Sequence, residues 1–247
     1  MTRDDFNTSI RAIHSFFANE AFVESSVYLV TLPRSVEFNK TSLTSSDYNT
    51  VFEAGLSLSH YNFLLKDLAY FQFSHASESE WALAYYPNPR VSGSSVALSE
   101  FNELRDAAER GEIDDEEFSL LASSLQVGNY IPRMRFEYSE SQYRPVRHPG
   151  AHFHIGMSGE DRWASSRKLS PRSFGLLIAK HYYPELWWKS SRFSQVKEDQ
   201  ELAANIENCV DEKLLQSIQS DGVSHVFSEF EKLTFHFAAM QPPAPAQ

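Results

Sequence analysis

A chain of 247 residues that is 42% apolar and 14% aromatic can bury a substantial core, which excludes disorder over most of its length. Its net charge of -11, from 22 basic and 33 acidic side chains, argues against a general polyanion binder. Its one cysteine, Cys209, excludes an internal disulfide framework and a cysteine-based zinc knuckle. No apolar run approaches the roughly 18 to 20 residues of a membrane span. The polar opening MTRDDFNTSI lacks the apolar stretch of a secretory signal, so a cytoplasmic protein without membrane contact is expected.

In chain order, Phe6, Ile10, Ile13, Phe16 and Phe17 recur at helical spacing, with Asp4 or Asp5 as the expected cap. Val27 to Val30 reads as a short strand stopped by Pro33. Two alternating segments, 69–74 and 80–86, read as strands joined by the polar turn SHASES. Residues 97 to 126 predict two charged helices broken at Gly111, whose acidic side chains form a solvated face or a surface for a protein partner. Arg133, Arg135 and Glu137 alternate with Met134, Phe136 and Tyr138, the period of a half-buried strand, and a hairpin leads on to HPGAHFHIG. Ser170 and Pro171 are a helix start, with Phe174, Leu177, Ile178 and His181 on the expected apolar face. A further helix is expected over 196–219 and a frayed tail over 241–247.

These elements predict one α+β domain over 1–240. Its expected core is a curved antiparallel sheet of about five or six strands, with helices packed on one face and the histidine strand near the centre.

The segment around that strand carries the chemistry. If 151–155 is a strand, His152 and His154 share one face while Phe153 and Ile155 point to the core, and the Pro149-Gly150 turn can bring His148 beside them. Residues 130 to 172 carry a local charge of +4 while the rest of the chain carries -15. Such a basic, histidine-rich patch on an acidic protein points to an anion site. Three chemistries remain open. The imidazoles can ligate an open zinc site, although no helical His-x-x-x-His pair, cysteine pair or sequence-adjacent carboxylate accompanies them. They can act as acid and base in metal-independent phosphodiester cleavage, with Tyr143 positioning the substrate and Arg144, Arg147, Arg162, Arg167 and Lys168 holding its charge. Or they are hydrogen-bonded structural histidines. Ser165 and Ser166 lack a nucleophile elbow. Trp163, Trp187 and Trp188 are expected to pack, and Cys209 to be buried and inert. Gly156 is expected to end the strand.

The run from His148 to Tyr183 also resembles an uncharacterised bacterial domain-of-unknown-function family. The matching positions are His148, Pro149, His152, His154, Gly156, Arg162, Leu169, Ser170, Pro171, Phe174, Tyr182 and Tyr183. The resemblance spans about residues 143–188. It implies a bacterial origin and a special role for the histidine segment, and nothing about a substrate.

The expected function is therefore a phosphodiesterase- or ribonuclease-like effector, of a toxin or defence type, that binds RNA or a nucleotide phosphodiester at His148, His152, His154 and Tyr143. The alternatives are a non-catalytic module that senses an anion or docks a protein through 97–126, and a zinc-binding protein. No cofactor and no structural metal are expected. His152 and His154 are expected on an exposed sheet face close to Arg147, Arg162 or Arg167, where their removal would cost little stability.

Overall fold

Phe6, Ile10, Ile13 and Phe17 are the residues that α1 (Arg3–Asn19) buries, so the periodicity of the first segment translates directly into packing. The cap is Thr2 rather than Asp4 or Asp5. The Thr2 hydroxyl accepts from the Asp5 backbone N–H, and the two acids fall inside the first turn, where their charge suits the helix dipole. This computed structural model describes residues 1–91, 95–125, 132–145, 147–157, 159 and 161–190. The helix expected over 196–219, the tail over 241–247 and Cys209 lie outside the described residues, as does the side chain of Trp188.

The expected strand over 27–30 is not formed. β1 is Val23–Ser26, and the chain beyond it is held by one buried side chain. The Asn62 amide group donates to the carbonyls of Tyr28 and Val30, at 2.7 and 2.8 Å, while its own backbone carbonyl accepts from Val27 and Tyr28. Long-range side-chain bonds have replaced a ladder there. Two short helices, α2 (Val36–Thr44) and α3 (Tyr48–Ser57), precede β2 (Phe63–Leu65).

β3 (Tyr70–Ser77) and β4 (Glu80–Tyr86) form the expected hairpin. After α4 (Ser95–Glu109) and α5 (Asp115–Ser124), separated at Gly111 with φ +71°, come β5 (Met134–Ser139), β6 (Ala151–Ile155) and β7 (Trp163–Ala164). The α+β fold is as expected, but the antiparallel sheet has seven strands, in the order β1 to β7 along the chain.

One face of the sheet presents Phe71, Phe73, Trp81, Leu83, Tyr85, Phe136, Tyr138 and Ala151, and α1 closes it together with α6 (Pro171–Tyr182). Ser170 caps α6 by accepting from Ser173, and Pro171 occupies the first turn. Phe174 meets Phe71 and Phe73 edge-on. Gly175 lets α6 approach α1 closely, since a Cβ there would lie 2.2 Å from Ile13 Cγ1. The buried face of α6 runs through Phe174, Gly175, Ile178 and Ala179, so it is rotated from the expected one and leaves His181 exposed. α7 (Pro184–Ser190) buries Trp187, whereas Trp163 is 42% exposed.

The opposite face is not bare. Phe38 of α2 and Tyr48, Val51 and Phe52 of α3 pack on Tyr70, Ala84 and Tyr86. Helices thus cover both sides at the β2–β4 end, and the polar stretch of the second face over β3, β4, β5 and β6 is left for the site.

At the β2–β3 turn the buried Asp67 carboxylate accepts from Tyr183 Oη at 2.8 Å and from the Ala69 N–H at 3.0 Å. Burial lifts its pKa from 3.8 to about 6, outweighing those two bonds. A carboxyl whose folded pKa is raised stabilises the fold fully below pH 3.8 and loses that contribution as the pH climbs through about 6. Between pH 4 and pH 7 the stability of the wild type should therefore fall relative to Asp67→Asn by up to roughly 3 kcal/mol. Urea unfolding across this range checks it, and parallel curves for the two proteins would reject the assignment.

Candidate functional site

Antiparallel pairing sets Glu137 of β5 directly opposite His152 of β6, and Arg135 opposite His154. The next strands continue both rows with small residues. Ala82 of β4 stands opposite Glu137, Ala84 opposite Arg135, and Ala164 of β7 opposite His152. Four polar side chains therefore share the face away from α1 and α6, with alanines beside them on the neighbouring strands.

His152 Nε2 and His154 Nε2 lie 3.0 Å apart, and each is 3.6 Å from Glu137 Oε2. The other carboxylate oxygen, Oε1, is 3.0 Å from Arg135 Nε. His152 Nδ1 lies 3.0 Å from the carbonyl oxygen of Pro149, which can only accept, so that nitrogen carries the hydrogen and Nε2 of the neutral ring presents a lone pair to the cluster. The His148 ring stands edge-on to His152 at 4.9 Å between centroids. Among the described residues, Glu137, His152 and His154 are the one group of three such ligands whose atoms converge, all within 4.8 Å.

The arrangement has a shortage of hydrogens. A carboxylate and a fixed imidazole lone pair face one remaining imidazole nitrogen, which can donate to only one of them. A proton or a cation between the three atoms resolves this. Burial pushes the Glu137 carboxyl up, but His152, His154 and Arg135 outweigh it and hold it well below the usual carboxylate range. His148 titrates below the ordinary imidazole value, first through desolvation and then through the charges of His152 and Arg162, which favours its neutral form at pH 7.

The expectation of an exposed histidine face is overturned. His152 and His154 are 0% and 2% exposed, with the His148 ring packed edge-on against His152. Glu137, at 28%, is the member that reaches solvent. The three expected histidines do come together, but the expected cations divide. Arg162 is close enough to act on His148. Arg144 turns back on its own loop, donating to the carbonyls of Ser141 and Tyr143, and its backbone pairs with that of His148. The Arg147 side chain is exposed. Arg167 lines a different, apolar cavity of about 600 Å³ on the helix-covered face, with Phe153, Ile155, Trp163 and Leu177. Lys168 lies over the Tyr138 ring, also on that face. Tyr143 is partly buried against the main core.

Sequence reasoning missed Glu137 and Arg135 as site residues. Their signal was present, since Arg135 and Glu137 alternate with Phe136 and Tyr138 just as His152 and His154 alternate with Phe153, which puts each pair on the polar face of its strand. Only the register shows that Glu137 meets His152.

The family model of an uncharacterized conserved protein family, DUF2290, matches residues 18–239. The chain belongs to this family. The match takes in every strand of the sheet, so the resemblance over 143–188 lies within a much longer one. No curated protein and no solved structure matches this DUF2290 chain. No helix among its described residues is long and apolar enough to cross a membrane.

Because His152 is fully buried and bonded to Pro149, His152→Ala in the DUF2290 protein should cost about 1–3 kcal/mol, more than a surface substitution. Urea unfolding in the presence of a chelator measures this, and a loss under about 0.5 kcal/mol would show that the ring is not held as described.

Proposed function

We propose that the protein binds one first-row divalent metal ion through Glu137, His152 and His154 and uses it to hydrolyse a phosphate ester. The convergence of one carboxylate and two imidazoles carries this reading. An ion about 2.1 Å from each ligand atom would see the nitrogen pair at roughly 90° and the two 3.6 Å pairs at roughly 120°, within what zinc and its neighbours accept. The Nδ1–H of His152 donating to Pro149 is the outer bond that orients a ligating imidazole. Three protein ligands leave a position for water, as in catalytic rather than structural sites.

The same features weigh against the two histidines acting directly as acid and base, because buried rings cannot reach a substrate. His148 suits that role better, being half-buried, adjacent and biased to the neutral form. Glu137, His152 and His154 would hold the ion, which would supply an activated water for attack on phosphorus, and His148 would take that water's proton and return it to the oxygen that leaves as its bond to phosphorus breaks. Arg162 and Arg135 supply positive charge near the phosphoryl oxygens.

Titration calorimetry of chelator-stripped protein with zinc or manganese should give one site per chain. Glu137→Gln and His154→Ala should each weaken it by about tenfold or more, in keeping with the cost of disturbing a metal's ligand shell. Hydrolysis of bis(p-nitrophenyl) phosphate should require the ion and rise with pH through about 7, the range in which zinc-bound water ionises. Binding no tighter than that of the Glu137→Gln, His154→Ala double variant would reject the reading. Hydrolysis that survives metal removal would move the chemistry to His148 alone.

A further inference from the structure

Next to Glu137, on the same side of the sheet, lies a polar cavity of about 500 Å³. Its floor includes Ser74 of β3 and Ala82 of β4, which stand opposite each other in the register and are both too small to fill the space. One wall is the segment from Leu32 through Asn39, which enters α2, and Glu137 lies at the opposite side. α2 and α3 press their aromatic side chains on Tyr70, Ala84 and Tyr86, and next to that contact the paired Ser74 and Ala82 leave space between Gln72, Glu80 and Glu137.

Two cations reach this cavity, Arg3 from the start of α1 and Arg34 from the loop before α2. Both are exposed, and neither forms an ion pair or a side-chain hydrogen bond within the described residues. The acidic side chains that line the cavity are Glu80 and Glu137, and Glu137 is already engaged by Arg135. Arg3 and Arg34 therefore offer two guanidinium groups to an incoming anion, which they suit through paired N–H donors. The volume falls in the range of sites for a single small ligand, about 300–1,000 Å³, and a nucleotide fits it.

We propose that this cavity is the substrate site of the metal centre and that its substrate is a compact, nucleotide-sized molecule with two anionic groups. One group is held by Arg3 and Arg34, and the other, the ester phosphate, is presented at Glu137, His152 and His154. The assignment of the second group rests on the metal reading above, whereas the arginine contact does not. Arg3 and Arg34 become the residues that set substrate size and charge, in place of the cluster at Arg144, Arg147, Arg167 and Lys168.

The test measures the affinity of adenosine 3′,5′-bisphosphate and adenosine 5′-monophosphate for full-length protein, with zinc and with chelator, at fixed ionic strength. The wild type should prefer the bisphosphate, and zinc should tighten it further. Arg3→Ala and Arg34→Ala should each weaken the bisphosphate about tenfold, consistent with loss of a charge-assisted bond, and remove most of the preference without lowering the melting temperature. If zinc changes nothing while the arginine dependence persists, the metal reading fails and the anion site stands. If both variants bind the bisphosphate like the wild type, the cavity assignment is overturned. A ten-nucleotide single-stranded RNA that binds more tightly than the bisphosphate would overturn the size limit and point to a polymeric substrate.

Discussion

A slip of β5 by one residue against β6 would bury Glu137 and Arg135 among the aromatics of the main core and turn Phe136 and Tyr138 to the polar face. The site depends on this register. Several contacts pin it at once. Phe136, Tyr138 and Ala151 are fully or almost fully buried beneath α1 and α6. At the far end Gly156 adopts φ +81°, a conformation that favours glycine, and exchanges bonds with Arg133, whose guanidinium also lies over Tyr86. The apolar face thus chooses the register, and the polar face inherits its geometry.

Two carboxylates, the buried Asp67 and the partly exposed Glu137, show how differently the fold treats one functional group. Asp67 is given only neutral donors, a tyrosine hydroxyl and a backbone N–H, and burial wins. Glu137 is given two imidazoles and a guanidinium, and they win. The first carboxyl is a plug between β2, β4 and the α6–α7 corner, linked to Tyr85 through Tyr183. The second is kept ionised where the sheet meets solvent. Burial and charge placement together set the two carboxyls apart.

Much of this was legible in the residues and some was not, for reasons that differ by element. The periodicity of α1, the alternation in β3, β4 and β5, and the Ser170-Pro171 helix start all report local physics, and they came out in place. The segment at 27–30 misled because its apolar residues suit a strand, while its hydrogen bonds go to Asn62, a residue far along the chain. The histidine pair was correctly put on one face, since two-residue spacing demands it. Its burial was not foreseeable, because that depends on which strands flank β6 and on the fold of the His148 turn. The cationic cluster misled in the same way. Arg167 and Lys168 follow β7 and turn to the other side of the sheet, a consequence of chain path that no local charge count contains.

The strands join the sheet in the order in which the chain makes them, yet the core they present is closed by one helix from the beginning of the chain and another from well past its middle. α1 leaves the ribosome with Phe6, Ile10, Ile13 and Phe17 ready to pack, and their partner Phe174 follows only after the whole sheet has been synthesised. At about 5–20 residues per second this interval is on the order of ten seconds. Throughout it the aromatic face of the growing sheet has one of its two lids. Until residue 171 is reached, the apolar sheet face therefore lacks the cover that α6 provides in the folded chain.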